Sequence, residues 1–411
     1  MSTQAARSIR FTHSSPQQAF RLIELTPDLL ELISSPNAPT LYLKSPASGD
    51  PSTENNAAYV NLCTPTKTFR IRQVQSSNSI HIIQPSDGQS NVIPLIKRQN
   101  DDNNDTEIAP ETITAIAKCG STLEMQGLSS EESFAAAKGM LVRILRVWDD
   151  KMTFNNDDDD DGDVDMDGSE DAELNATRSL LVKKAVIDDI PFADSQCRKA
   201  WIELCAFVPD NNYKALSGER LAFRPSAAVK LGIWKRILEG CILHSIDVEK
   251  QFLVRDLWKA VLGDKDDDDV KEKTFSRSLF DAIVKKLAER SSEDWVEDDS
   301  EVKWSNMDKD VCIKWIGETY LEATAPTEKH AIGRSEFLNA WRDLLPETWR
   351  NAAALSNLPE ASYKQPDPVS IHFLPESERD MAGKEAQDAA GSGARVRNSR
   401  NWHERFKSQR K

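Results

Sequence analysis

The residues with the clearest claim to chemistry are Asp163, Asp165, Asp167 and Gly168, which copy positions 1, 3, 5 and 6 of an EF-hand calcium loop. Such a loop needs a bidentate glutamate at position 12, but Leu174 stands there and Glu173 falls one residue early. The upstream flank is Asn-Asn-Asp-Asp rather than a helix, so the four residues read as part of an acidic low-complexity run. The phosphate loop GxxxxGK[ST], the dinucleotide turn GxGxxG, the zinc pair HExxH and the nucleophile elbow GxSxG are all missing from the chain. His13, His81, His244, His330, His372 and His403 do not cluster with cysteines or carboxylates at ligand spacing. The six cysteines are scattered with no CxxC pair, which points to reduced thiols that fill cores. These observations predict no catalytic residue, no cofactor and no metal site, and a chain that is not an enzyme.

What is left is binding chemistry, carried by apolar strands and clustered cations. The net charge of −15 is unevenly placed: residues 157–173 hold eleven carboxylates and no Lys or Arg, so the remainder carries only −4. Local basic surfaces are therefore compatible with the acidic total. At 411 residues, 39% hydrophobic and 29% charged, the chain is long enough for about two to four domains joined by solvated segments. No apolar run reaches the length of about 18 residues that suggests a membrane span, and the polar residues 1–18 lack a secretory pattern.

The elements that position these groups change character along the chain. After a flexible leader at 1–19, FRLIEL (20–25), TLYLK (40–44), AYVNLCT (58–64), KTFRIRQV (67–74) and SIHIIQP (79–85) read as short strands. The Ser-Ser-Asn break before Ser79 predicts a hairpin, and GSTLEMQ (120–126) a last strand. Residues 20–127 are thus expected to form an antiparallel β-barrel or sandwich used for assembly. Either another chain completes its edges, through Leu22, Ile23, Leu25, Val60, Leu62, Phe69, Ile71, Ile80 and Ile82, or the barrel closes on itself under a helix. Residues 128–178 are expected to hold a helix, with Phe134, Met140, Leu141, Ile144, Leu145 and Trp148 at helical spacing, then the acidic insert without structure.

From 179 onward a degenerate repeat of three helices and a hairpin predicts tandem winged-helix units at 179–225, 226–305 and 306–375, then a flexible basic tail at 376–411. The fold class is accordingly α+β multidomain: a barrel module followed by winged helices. Weak, sequence-nonspecific DNA contact would fall to Lys273, Arg277, Lys285, Lys286 and Arg290 of the second unit and to Arg334, Arg342 and Arg350 of the third. Arg405, Lys407, Arg410 and Lys411 would add the tail. The acidic wing at 297–301 argues against phosphate contact there, and protein docking stays open for every unit. A stand-alone winged-helix transcription regulator is the rival reading.

Leu22 to Leu25, the step Leu62-Cys63-Thr64 with Lys67-Thr68-Phe69, and Val74 with Ser77-Asn78 resemble the N-terminal block of the Dcc (defective in sister chromatid cohesion) family. STLEMQ (121–126), VIDDIPFADSQ (186–196), and MDKDVCIKWIGETYLEA (307–323) followed by FLNAWRDLLPE (337–347) extend the likeness over most of 20–375. The resemblance implies a nuclear, non-catalytic subunit of the alternative, cohesion-linked clamp loader of the replication-factor-C type. Its partners would be the complex's large ATPase subunit and small companion subunit, DNA polymerase epsilon, DNA and, indirectly, the sliding clamp PCNA, with no membrane. It assigns polymerase contact to the first winged unit, where Lys183, Lys184, Arg198 and Lys199 offer cations.

Overall fold

The computed structural model describes residues 10–13, 16–45, 59–86, 112–149, 168–209, 222–262, 276–289, 303–375 and 378–379. The chain divides into two compact units, Met1–Ala137 with Asp188–Cys197, and Lys138–Ile187 with Arg198–Lys411.

The first unit is built on one open sheet. Its strands are β1 (Arg10–His13), β2 (Leu22–Glu24), β3 (Tyr42–Lys44), β4 (Val60–Cys63), β5 (Thr68–Ser86) and β6 (Thr112–Gly127), in the order β1-β6-β5-β4-β3, with β2 also on β6. The expected antiparallel barrel is therefore a mixed half-barrel: β3 through β6 pair antiparallel, whereas β1 and β2 follow one another along β6 in parallel. The Ser-Ser-Asn hairpin is not formed either. β5 continues through Ser76, Ser77 and Asn78, which are accommodated in a register shift between Gln75↔Ser121 and Ile80↔Cys119. The long partner β6 offers hydrogen bonds on both sides of the polar insertion, so a bulge satisfies more backbone than a turn.

Helix α1 (Pro27–Ser34) was not anticipated; Pro27 opens it at the first helical position, where a missing N–H costs nothing. It lays Leu29 on Leu62 and Phe69, cross-strand partners on β4 and β5, to make a small core with Leu32, Leu41, Ile71 and Met125 around it. Helix α2 (Ser130–Ile144) starts in a capping box: Glu132 N–H donates to Ser129 Oγ at 3.1 Å, and Ser129 N–H and Oγ–H donate back to Glu132 Oε2 at 3.1 and 2.8 Å.

In the second unit the helix expected through Trp148 stops early, and Trp148 lies in β7 (Arg146–Trp148). Its indole meets Phe207 and Phe223 edge-on at 5.6 and 5.1 Å, an aromatic burial that a further helical turn would forgo. Helix α3 (Gly168–Asp188) begins inside the segment expected to lack structure. Helix α4 (Asp194–Glu203) ends in a Schellman turn: Ala206 N–H reaches Trp201 O and Cys205 takes a positive φ of 50°. β8 (Phe223–Pro225) pairs in parallel with β7, so its main ladder is not the expected wing hairpin, although Phe223 also bridges Phe207 antiparallel.

Two similar runs follow. The first is α5 (Ala227–Leu243), β9 (Phe252–Leu253), α6 (Val254–Leu262), α7 (Arg277–Leu287) and β10 (Trp304–Ser305), with β10 on β9 and Met307 bridging Ala288. The second is α8 (Lys309–Thr324), β11 (Ile332–Gly333), α9 (Arg334–Asp343), β12 (Tyr363–Lys364) and β13 (Ser370–Phe373), in a sheet ordered β11-β13-β12. Where the repeat of the third unit calls for a third helix, residues 347–358 form two 3-10 pieces, Glu347–Ala352 and Leu355–Asn357, confined between Pro346 and Pro359 and anchored by buried Trp349, Ala353 and Leu358. Ser226 and Asp308 cap α5 and α8 through Val229 and Val311 N–H. Both runs share one core: Trp234 on α5 donates to Leu344 O at 2.7 Å, and Trp341 on α9 to Ile313 O at 3.1 Å.

Candidate partner-binding surfaces

The sheet unit leaves many apolar side chains exposed beside its small core. Among the described residues, eleven of the eighteen exposed large hydrophobics belong to it, including Phe11, Phe20, Ile23, Leu25, Leu30, Ile33, Tyr42 and Val60. Leu43, Leu30 and Ile83 are the most open of these, at 65%, 53% and 52%. Two sheet margins, β3 on one side and β1 with β2 on the other, pair with no further described strand. Unpaired margins beside exposed apolar side chains are the features that favour strand addition by another chain.

The nine residues expected at barrel edges divide. Leu22, Ile23 and Leu25 belong to or adjoin the β2 margin. Val60, Leu62, Phe69, Ile71, Ile80 and Ile82 lie on the interior strands β4 and β5. Leu62 and Phe69 are buried under α1, while Val60 and Ile80 stay exposed on the sheet. Tyr42 and Leu43 on the β3 margin were missed, although the alternation of TLYLK was the signal for them.

The cations also divide. Lys286 is buried and holds Glu203 at 2.7 Å, which removes it from any surface that phosphate could reach. Arg277 spans Asp281, its Nε 2.9 Å from both carboxylate oxygens, and stacks over Trp258 and Phe280 at 5.4 and 5.6 Å. Lys285 is half-buried on the same helix. Arg334 and Arg342 at the two ends of α9, and Arg350 just beyond, are exposed. Lys184 is exposed; Lys183 lies over Trp201 at 6.0 Å; Arg198 and Lys199 are half-buried on α4. Lys273, Arg290, Arg405, Lys407, Arg410 and Lys411 fall outside the described residues.

The cysteines are structural. All six are buried and free, and burial pushes the thiols of Cys63 and Cys205 up to about 11 and those of Cys197 and Cys241 up to about 12, far from a reactive thiolate. Among the described residues no three His, Cys, Asp or Glu side chains converge as a metal site, and no helix is long and apolar enough to cross a membrane.

An open mixed sheet with apolar margins, followed by a unit of helices and short two- and three-stranded sheets, defines an α/β protein whose surfaces are suited to docking. The chain belongs to the sister chromatid cohesion protein Dcc1 family, whose sequence model matches residues 20–378. Membership gives it a role in sister chromatid cohesion, as a non-catalytic component of a cohesion-linked complex. No curated protein matches the chain.

Proposed function

We propose that the protein is the nuclear adaptor subunit of an alternative clamp loader of the replication-factor-C type, linking it to DNA polymerase epsilon and to DNA. The supporting observation is the sheet with two open margins and exposed apolar side chains, which the large ATPase subunit and the small companion subunit of that loader would cover with strands of their own. The loader would bring the sliding clamp PCNA into reach without direct contact.

The order helix, strand, helix, helix, strand at α5 to β10, and the order helix, strand, helix, 3-10 turns, hairpin at α8 to β13, support reading both runs as winged helices. DNA contact falls to Arg334, Arg342 and Arg350 in this reading. Arg334 stands in the first turn of α9, where the helix dipole disfavours a cation, a cost that phosphate contact would offset. The polymerase would dock on α3 and α4, beside Lys184, Arg198 and Lys199.

The test is co-purification of the full chain with the loader subunits. Leu43→Asp and Ile83→Asp change exposed side chains, so the unfolding midpoint should stay at the wild-type value while both subunits are lost. Retention of both subunits by the two folded variants would sink the adaptor reading.

A further inference from the structure

Two stretches that the sequence singles out, LCTPTKTF (62–69) and DIPFADSQ (189–196), grip one another inside the sheet unit. The buried Asn61 donates through Nδ2 to Pro191 O at 2.7 Å, and Ala193 N–H donates to Thr68 Oγ1 at 2.9 Å. Ser195 N–H reaches Pro65 O at 3.1 Å, and Gln196 Nε2 reaches Thr66 O at 2.7 Å. Lys44 on β3 meets Asp194 at 3.4 Å. Ile190, Phe192, Ala193 and Cys197 are buried. The receiving turn is itself braced, since Thr64 Oγ1 accepts from Lys67 N–H at 2.8 Å. Pro191 O, Ala193 N–H and Ser195 N–H are backbone groups that the gap between α3 and α4 leaves without a helical partner, and these contacts pair them.

We infer that Asp188–Cys197 is an internal latch whose receptor is the 64–68 turn, and that its closure orders the start of α4 and so positions Arg198 and Lys199, the next two residues of that helix. Thr68, Asn61 and Gln196 are positioning residues: they act on a partner surface only through the latch. The functional half of this inference rests on the polymerase reading above; the latch itself does not.

The experiment uses the full chain with four readouts: amide hydrogen exchange, the unfolding midpoint, affinity for the catalytic part of DNA polymerase epsilon, and retention of the loader subunits. Thr68→Val keeps the side-chain shape and removes the acceptor of Ala193 N–H; Thr68→Ser restores it; Gln196→Ala severs the latch from its other side. Losing one such buried bond should quicken exchange in 188–203 by about tenfold, leave other peptides unchanged, and weaken polymerase binding several-fold with loader subunits retained. Thr68→Ser should return both values to wild type. Unchanged exchange, or an equal rise in every peptide, overturns the latch. Faster local exchange with unaltered polymerase affinity overturns the positioning role. A wild-type chain that ignores the polymerase sinks the polymerase reading and that role together, while the exchange result still decides the latch.

Discussion

Gly317 lies on α8 where a β-carbon would stand 2.7 and 2.8 Å from Trp341 Cε2 and Cζ2 and 2.9 Å from Leu358 Cδ2. Carbon pairs settle at about 3.5 Å or more, so the neighbours would have to give by about 0.8 Å. Trp341 cannot retreat easily: it is wholly buried, and its indole N–H is tied to Ile313 O at 3.1 Å. Overpacking of this kind costs about 3 kcal/mol at the severe end, and the better helix propensity of alanine returns about 1 kcal/mol. Gly317→Ala should therefore lose about 2 kcal/mol, which lowers the melting temperature of a unit this size by about 4–8 °C. Gly139 on α2 supplies the control, because a β-carbon there meets nothing within 4 Å. Gly139→Ala should be stabilising by about 1 kcal/mol. Urea titrations of both variants give the comparison. A Gly317→Ala protein as stable as wild type would refute the claim that close approach to Trp341 is why a glycine is needed.

Four further outcomes are expected. Ser245, exposed and at φ 54° after α5, should gain about 0.5–1 kcal/mol as Ser245→Gly, read from the urea midpoint. Glu203→Ala strands the ammonium of buried Lys286 and should cost about 2–3 kcal/mol, most of it recovered in the double variant Glu203→Leu with Lys286→Met. Burial raises the Glu318 carboxyl above its ordinary value despite Arg379 at 3.4 Å, so the folded state holds that proton longer and stability falls as pH rises through the window above 4.5. Glu318→Gln should accordingly gain on wild type as pH increases from 4 to 7, and a relative loss would contradict the sign. At pH 8 the native thiols Cys63, Cys197, Cys205 and Cys241 should resist iodoacetamide, and the urea-unfolded chain should react; rapid labelling of the folded protein would contradict their burial.

Much of the helical unit was legible because its periodicity is local. The apolar face Leu279, Ile283 and Leu287 marks α7, and the family likeness at 307–323 falls on α8. Surface identity was less legible. Lys286 reads as one more cation of a solvated helix until Glu203, distant in sequence, is brought to 2.7 Å from it. The same holds for Arg277, whose i,i+4 partner Asp281 is visible in the sequence but whose stacking on Trp258 of another helix is not.

Chain-local chemistry decided where strands and helices start: alternation marked β3 to β6, Ser129-x-x-Glu132 and Ser226 capped their helices, and Pro27 opened α1. Pairing was decided only in three dimensions. Parallel addition of β1 and β2 to β6, the run of β5 through Ser76 to Asn78, and the reach of 188–197 onto the 64–68 turn all depend on which distant backbone offers unpaired hydrogen-bonding groups. A propensity is set by a few neighbouring side chains, whereas a strand's partner is chosen by the competition of every exposed N–H and C=O in the folded chain.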